Sequence, residues 1–232
     1  MEHIQNFKII LITGPKHTGK SSVGYITSQL KNGIFIDLDE LVECQTGKSP
    51  RALYKEGPHI FRMAETAALK SLFDTPEDVC SLFNDKPDDR GVQAASIKQC
   101  YSINTETSTE VKNRRLFIVA AGGGLIDNED AIALLKNSVD INTQSTIHNK
   151  AEIFIIYLDV SADTAWNRIL RSAQQSGELP AFLQTADPIT THRTIHLRRS
   201  QAYRELAHFI IHGENKPADC IAQEIANLDI FQ

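Results

Sequence analysis

The sequence predicts an α/β fold, a three-layer sandwich in which helices cover both faces of a five-stranded parallel sheet. Two observations carry this prediction: apolar runs of strand length recur along the chain, and segments with helical periodicity separate them. Such runs suit strands that are buried on both faces, and alternation of strands with helices is typical of parallel sheets. The predicted strands are residues 7–13, 33–37, 116–121, 152–158 and 208–212.

Helices are predicted between and after these strands. Their ranges are 23–30, 41–44, 52–55, 60–72, 130–135, 162–172, 194–206 and 217–228. Two polar stretches, 74–113 and 137–150, interrupt the alternation, and we interpret them as surface insertions. The sequence offers no strong boundary between domains, so we expect one domain over residues 1–232.

Composition and charge argue against several classes of function. The chain has 24 Lys and Arg against 29 Asp and Glu, a net charge of −5, whereas a broad nucleic-acid surface needs a basic excess. Its apolar runs all fall short of the roughly 18 residues that a membrane span requires. The four scattered cysteines form no C-x-x-C pair, which indicates reduced thiols. We expect a cytoplasmic protein that binds neither nucleic acid nor membrane, and we expect it to be a monomer.

A glycine-rich loop follows the first predicted strand. Its sequence, Gly14-Pro-Lys-His-Thr-Gly-Lys-Ser21, matches G-x-x-x-x-G-K-[ST], with an apolar strand before it and a helix after it. Glycines let several backbone N–H groups converge on phosphate oxygens, and the helix N-terminus adds the positive end of its dipole. Lys20 would place a cation on the β- and γ-phosphates, and Ser21 would offer a hydroxyl to Mg²⁺. We expect ATP to contact Gly14, Pro15, Lys16, His17, Thr18, Gly19, Lys20, Ser21 and Ser22.

Candidate acceptor-binding residues lie at the end of the second strand and on a later helix. Asp37 and Asp39 share one side of the strand end, where ligands bind in open α/β sheets. One carboxylate would hold the water shell of Mg²⁺ and the other would bind an acceptor hydroxyl and take its proton, although a plain strand-end turn has the same pattern. Arg62 would fork onto a substrate carboxylate and be oriented by Glu65, unless the two are an ordinary solvated pair.

Glycines and further cations follow the third strand. Gly122-Gly-Gly124 would let a ligand approach bare backbone. A lid-like loop is predicted at about residues 172–190. Arginines that would clamp the nucleotide or the transferred phosphate lie on helices near it: Arg168, Arg171, Arg198 and Arg199.

The order of these motifs resembles that of the shikimate kinases, compact P-loop kinases of the nucleoside monophosphate kinase group. The resemblance rests on the segments Phe35-Ile-Asp-Leu-Asp39, Gln45-Thr-Gly-Lys-Ser49, Phe61-Arg62 to Glu65 and Gly122-Gly-Gly124. It covers most of the chain except the two insertions. It implies ATP-dependent phosphorylation of the 3-hydroxyl of shikimate to shikimate 3-phosphate, with Mg²⁺ as cofactor, in chorismate and aromatic amino acid biosynthesis.

The resemblance also implies roles for individual residues. Lys20 would serve ATP and Asp39 would hydrogen-bond the shikimate hydroxyl as the candidate base, and these are the catalytic residues. Ser21 would bind Mg²⁺, and Asp37 would act on the metal through water. The remaining implied contacts are those of Arg62, Gly123, Gly124 and Arg199 with shikimate and those of Arg171 and Lys216 with the adenine side of ATP.

The lid departs from the family's pattern. Where that lid reads Arg-Pro-Leu-Leu, this chain has Leu179-Pro-Ala-Phe182, and leucine cannot supply the charge of the arginine. Loss of such a cation costs on the order of a thousandfold in rate. Either Arg193 or Arg198 replaces it, or activity is low, or the acceptor is not shikimate. Two alternatives therefore stay open: a gluconate-type or other small-molecule kinase, and a catalytically weak relative that binds ATP or ligand.

Overall fold

Seven strands form one sheet within the residues that the computed structural model describes, which are 7–76, 78–79, 116–136, 139–140, 145–148 and 151–231. The strands are β1 (Phe7–Thr13), β2 (Ile34–Asp37), β3 (Leu116–Ala120), β4 (Val139–Asp140), β5 (Ser145–His148), β6 (Ala151–Asp159) and β7 (Phe209–His212). The helices are α1 (Lys20–Leu30), α2 (Leu38–Thr46), α3 (Pro50–Glu56), α4 (Pro58–Asp74), α5 (Glu129–Lys136), α6 (Ala162–Ser176), α7 (Pro188–Leu206) and α8 (Ala218–Ala226).

Five of these strands are parallel, in the order β2-β3-β1-β6-β7, which confirms the predicted parallel sheet. The central strand β1 is buried except at Lys8, because it has neighbours at both edges and helices on both faces. Its side chains alternate between two apolar clusters: Ile9 and Leu11 belong to one, and Ile10 and Ile12 belong to the other. One cluster lies on each face of the sheet, so the molecule has the three layers that the sequence predicts.

The sheet also contains two antiparallel strands that the sequence analysis did not predict. Residues 137–150 are interpreted above as a surface insertion, yet β4 and β5 lie within them. β5 pairs antiparallel with the first residues of β6, with Thr146 opposite Ile153, and β4 pairs with β5. β4 therefore forms the margin of the sheet, and β5 lies between it and β6. Because strand propensity depends strongly on context, such short strands need not show an alternating apolar pattern. Of the other predicted insertion, 74–113, residues 77 and 80–113 lie outside the described residues.

The segment between α6 and α7 is shorter than predicted. α6 continues to Ser176, and α7 begins at Pro188 instead of residue 194. Asp187 caps α7 by accepting a hydrogen bond from the N–H of Thr190 at 3.1 Å, and proline suits the first helical position. The lid-like segment is therefore 177–187. Among the described helices, none combines the length and the apolar character that a bilayer span needs.

Candidate active site

The loop between β1 and α1 is shaped by three residues with positive φ angles. Gly14, His17 and Gly19 have φ values of 140°, 64° and 100°. A Cβ atom on Gly14 would lie 2.9 Å from the carbonyl oxygen of Leu158, so a larger residue would not fit there. His17 is a residue with a side chain in the left-handed region, a conformation that costs about 1–2 kcal/mol outside glycine. The loop thus curls tightly from the carboxyl end of β1 into the N-terminus of α1, the geometry of an anion site.

Lys20 closes the loop from the first turn of α1. Its side chain is buried, and Nζ donates to the carbonyl oxygen of Pro15 at 2.8 Å. Burial lowers the pKa of Lys20 to about 8, while the carboxylates of Asp37 and Asp39 act in the opposite direction. A phosphate beside this ammonium group would favour its charged form.

Arg168 of α6 contacts the back of the loop. Its NH1 atom donates to the carbonyl oxygen of Thr18 at 2.9 Å. Arg171, the residue that the resemblance points to, lies one turn later and is exposed. The ammonium group of Lys216 is bound to Glu224 of α8 at 2.6 Å. Of these three predicted cations, Arg168 is the one that the structure brings onto the loop.

Ser21 and Asp37 meet beside the start of α1. Ser21 Oγ donates to Asp37 Oδ2 at 2.7 Å, and Asp37 Oδ1 caps α2 by accepting from the N–H of Asp39 at 3.0 Å. Within the described ranges, no group of three or more His, Cys, Asp or Glu residues is placed to hold a metal ion by itself. Hydroxyl and carboxylate oxygens suit Mg²⁺, which keeps several waters and shares its ligands with phosphates. The donors therefore fit a magnesium ion that arrives with a nucleotide.

Asp39 and Glu65 both lie beside Gly122, in the turn after β3. A Cβ atom on Gly122 would lie 3.1 Å from Asp39 Oδ1 and 2.9 Å from Glu65 Oε1. Burial and the neighbouring charge of Asp37 raise the pKa of Asp39. Burial raises the pKa of Glu65 to about 7. A hydrogen bond from Asn128 acts to lower this pKa, and the charge of Asp39 acts to raise it. Two carboxyl groups with raised pKa values thus share one small region.

Asn128 holds Glu65 in place, and the sequence analysis did not single it out. Its Nδ2 donates to Glu65 Oε2 and to the carbonyl oxygen of Arg62, both at 2.9 Å. Glu65 Oε1 has no hydrogen-bond partner among the described residues, although Glu65 is only 1% exposed. A buried oxygen without a partner offers a position to a ligand hydroxyl or a water. The signal for Asn128 was its place directly before α5, where asparagine is a favoured cap.

Arg199 of α7 is fixed next to the same glycine turn. Its Nε and NH2 atoms donate to Asp127 Oδ2 at 3.0 and 2.8 Å, and NH1 donates to the carbonyl oxygen of Gly123 at 3.2 Å. Arg62, in contrast, is exposed on α4. Its charge opposes the rise in the pKa of Glu65, but among the described ion pairs the two side chains do not meet within 4.0 Å. The expected orientation of Arg62 by Glu65 is not seen.

The glycine turn and the phosphate loop are in direct contact. A Cβ atom on Gly123 would lie 2.8 Å from the backbone nitrogen of Lys16, and one on Gly124 would lie 3.4 Å from NH2 of Arg199. The phosphate loop therefore adjoins the cluster of Asp39, Glu65 and Arg199 at the carboxyl ends of β1, β2 and β3. This is where ligands bind in open α/β sheets, and the arrangement suits a reaction between a nucleotide phosphate and an acceptor with a hydroxyl group.

Comparison with known families identifies the group to which this arrangement belongs. The family model for shikimate kinase matches residues 17–83 and 100–229. The chain is a member of the shikimate kinase family. This confirms the resemblance drawn from the motifs, and it makes the chain a P-loop kinase that uses ATP.

Relatives across most of the chain agree with this membership in the shikimate kinase family. Shikimate kinases of Marinomonas sp. and Nitrosospira multiformis are 22% and 24% identical to it over 217 and 218 residues, which is 93% and 94% of this chain and 88% and 82% of the relatives. A solved structure of shikimate kinase from Acinetobacter baumannii in complex with shikimate has a TM-score of 0.61 at 24% identity, over 95% of this chain and 90% of that one. Shikimate kinase from Bacteroides thetaiotaomicron has a TM-score of 0.60 at 17% identity, over 94% and 96%. These structures share the fold, which confirms the predicted P-loop kinase type.

Proposed function

We propose that the chain transfers the γ-phosphoryl group of ATP to the 3-hydroxyl of shikimate, giving shikimate 3-phosphate for chorismate and aromatic amino acid biosynthesis. The observation that carries this proposal is the contact between Gly123 and Lys16, because it joins the phosphate loop to the cluster of Asp39, Glu65 and Arg199. The two substrates would meet at this contact. Membership in the shikimate kinase family supports the choice of acceptor.

The nucleotide side of the proposed site is the loop of residues 14–22. Its backbone N–H groups and Lys20 would bind the phosphates, as the sequence analysis expects. We propose that Arg168 is the cation nearest to the adenine base, because it already contacts Thr18. Arg171 and Lys216 would lie farther from the adenine. Ser21 and Asp37 would hold Mg²⁺, Asp37 through water, and the ion would neutralise charge on the phosphate oxygens.

The acceptor side would bind shikimate by its carboxylate and its hydroxyls. Arg199 presents a guanidinium group whose position is fixed by Asp127, and Arg62 would add a second one from α4. Fixed guanidinium groups recognise carboxylates with well-defined geometry. Gly123 and Gly124 would let the ring approach the backbone, and the unpartnered oxygen of Glu65 would accept from a ring hydroxyl or a bridging water.

The proposed chemical step is a direct phosphoryl transfer. A bond forms between the 3-hydroxyl oxygen of shikimate and the γ-phosphorus, and the bond from that phosphorus to the β–γ bridging oxygen breaks, with its electron pair leaving on ADP. The hydroxyl proton passes to the carboxylate of Asp39, whose raised pKa makes it a better base than an ordinary aspartate. Catalysis by the protein consists mainly of positioning and charge neutralisation.

A coupled assay of ADP release tests the proposal. Purified protein with Mg-ATP should release ADP much faster when shikimate is added than in its absence. A turnover rate that shikimate leaves unchanged would exclude shikimate as acceptor. A parallel thermal-shift panel of shikimate, gluconate and nucleoside monophosphates would then point to the true acceptor, because a ligand that binds only the folded protein raises Tm.

We also propose that the chain acts as a cytoplasmic monomer with one domain over residues 1–232. The continuous sheet and the contact of the two substrate sides within one chain support this. Size-exclusion chromatography with light scattering should give one species near 25.9 kDa.

A further inference from the structure

A phosphoryl group in transfer needs a cation beside it, and the lid-like segment cannot provide one. Charge spreads over the equatorial oxygens in the transition state, and a cation placed there is worth about a thousandfold or more in rate. Residues 177–187 contain neither lysine nor arginine. Their described contact with Arg199 is made by Phe182, whose ring lies 5.7 Å from the guanidinium carbon. This segment can cover the site and exclude water, but it brings no positive charge.

The arginines that the sequence offers as replacements are bound elsewhere. Arg193 pairs with Asp163 of α6 at 3.1 Å, and both side chains are largely exposed. Arg198 pairs with Asp127 at 2.9 Å, on the far side of the carboxylate that holds Arg199. Neither is among the described residues that line the cavity beside Pro15 and Lys16 of the phosphate loop.

Lys16 is in the required place. Its backbone nitrogen and Cβ would lie 2.8 and 3.1 Å from a Cβ atom on Gly123, so its side chain begins where the loop meets the acceptor turn. It lines one cavity together with Phe182 and Arg199, and it is exposed. Among the described residues its ammonium group makes no ion pair within 4.0 Å, so it is available to a ligand.

The charges around Lys16 indicate that its ligand is an anion. Burial lowers the pKa of His17 to about 4, and the charges of Lys16 and Lys20 act in the same direction. The charge of Lys16 also acts on both Lys20 and Asp39, so it lies within electrostatic range of the nucleotide side and the acceptor side. Two lysines in one tight loop repel each other, and an anion between them removes that repulsion.

We infer that Lys16 contacts the transferred phosphoryl group and supplies the positive charge that residues 177–187 lack. This inference rests on the proposed function only for the identity of the acceptor. The transferred group is a phosphoryl group for any kinase of this family. Lysine acts here as a point charge on a flexible stem, and the loop fixes the origin of that stem.

Steady-state kinetics of Lys16→Met tests the inference. Methionine keeps the length of the side chain and the Cβ packing against Gly123 while removing the charge. We expect kcat to fall about a hundredfold or more, with the KM values for ATP and shikimate changed less than about threefold, and Lys16→Arg to recover most of the loss. Lys70→Met, which removes an exposed lysine from α4, is the matched control and should keep wild-type kinetics. A kcat for Lys16→Met within threefold of wild type would overturn the inference.

A binding measurement decides the inference even if shikimate is not the acceptor. ADP with magnesium and aluminium fluoride imitates the phosphoryl group in transfer, and the fluorescence of Trp166, the single tryptophan, reports binding near the lid. Lys16→Met should bind this combination at least tenfold more weakly than wild type while its affinity for ADP is unchanged. Equal affinities of the two proteins for the combination would refute the role of Lys16. If wild type binds it and shows no turnover with shikimate, the proposed function fails separately.

Discussion

Asp39 and Glu65 each bring one carboxylate oxygen to the backbone of Gly122, within about 3 Å of the position that a Cβ atom would take there. Glu65 Oε1 is buried and has no partner among the described residues, and burial raises the pKa of this carboxyl group to about 7. Ionisation of Glu65 in the folded protein is therefore unfavourable, and the free energy of unfolding should depend on pH through this group.

The first prediction concerns stability against pH. Because the pKa of Glu65 is raised from 4.5 to about 7 on folding, its contribution to stability is complete below pH 4.5 and is lost as the pH rises through 7. That rise corresponds to about 3 kcal/mol. Between pH 4.5 and 8, we expect the free energy of unfolding of wild type to fall by about 3 kcal/mol relative to that of Glu65→Gln. Urea titration at each pH measures both free energies.

The half-buried carboxyl group of Glu40 also titrates in this range, but it does not disturb the comparison. Burial and the charge of Asp37 raise the pKa of Glu40 to about 7, so both proteins carry that dependence and it cancels in the comparison. A constant difference between wild type and Glu65→Gln across the pH range would show that Glu65 is ionised or solvated throughout.

The second prediction compares two adjacent glycines. A Cβ atom on Gly123 would lie 2.8 Å from the backbone of Lys16, which cannot move aside, whereas one on Gly124 meets only the end of Arg199 at 3.4 Å. Gly123→Ala should weaken both ATP and shikimate affinity at least tenfold, and Gly124→Ala should affect shikimate alone and less. Calorimetric titration of each ligand measures this. Similar behaviour of the two variants would contradict the close contact of loop and turn.

The third prediction separates the two substrates. Arg62→Ala should raise the KM for shikimate at least tenfold and leave the KM for ATP within about threefold, because Arg62 belongs to α4 and not to the phosphate loop. The comparison variant is Lys55→Ala, which removes an exposed ammonium group from α3. Parallel loss of affinity for both substrates in Arg62→Ala would indicate damage to the fold instead.

The fourth prediction follows from the pKa of about 8 for Lys20. Mg-ATP should restore the proton that the buried ammonium group loses above this pH, so binding at pH 8.5 takes up a fraction of a proton. Titration calorimetry in HEPES and in Tris reveals this as a binding enthalpy that depends on the buffer. His17→Asn, which keeps a residue tolerant of positive φ, should show the same uptake. Equal enthalpies in both buffers would contradict the depressed pKa.

The fold was largely predictable because its signals are local. The apolar run of β1, the glycine pattern after it and the capping residues of the helices each occupy a few consecutive positions. Strands β4 and β5 were not predicted because they are short and their sequences lack an alternating apolar pattern, although β5 pairs with residues only three to seven positions later in the chain. The early start of α7 was missed although Asp187 and Pro188 carry a local capping signal.

The site was predictable only in part, because the pairing of side chains leaves no periodic pattern in the sequence. Arg168 and Arg171 lie one turn apart on the same helix, and only the packing of α6 against the loop puts Arg168 in contact with it. Likewise, the hydrogen bonds from Asn128 to Glu65 and Arg62 join residues more than 60 positions apart. Such pairings depend on the assembled fold, so sequence reasoning supplied the candidates and the structure selected among them.

The antiparallel pair β4–β5 has a consequence for how this molecule can diverge. It attaches to the amino end of β6, whereas the phosphate loop follows the carboxyl end of the neighbouring β1, about 20 Å away along strands of this length. Growth, shrinkage or replacement of this hairpin over evolutionary time would therefore reshape one margin of the molecule while the phosphoryl-transfer apparatus stayed under separate selection.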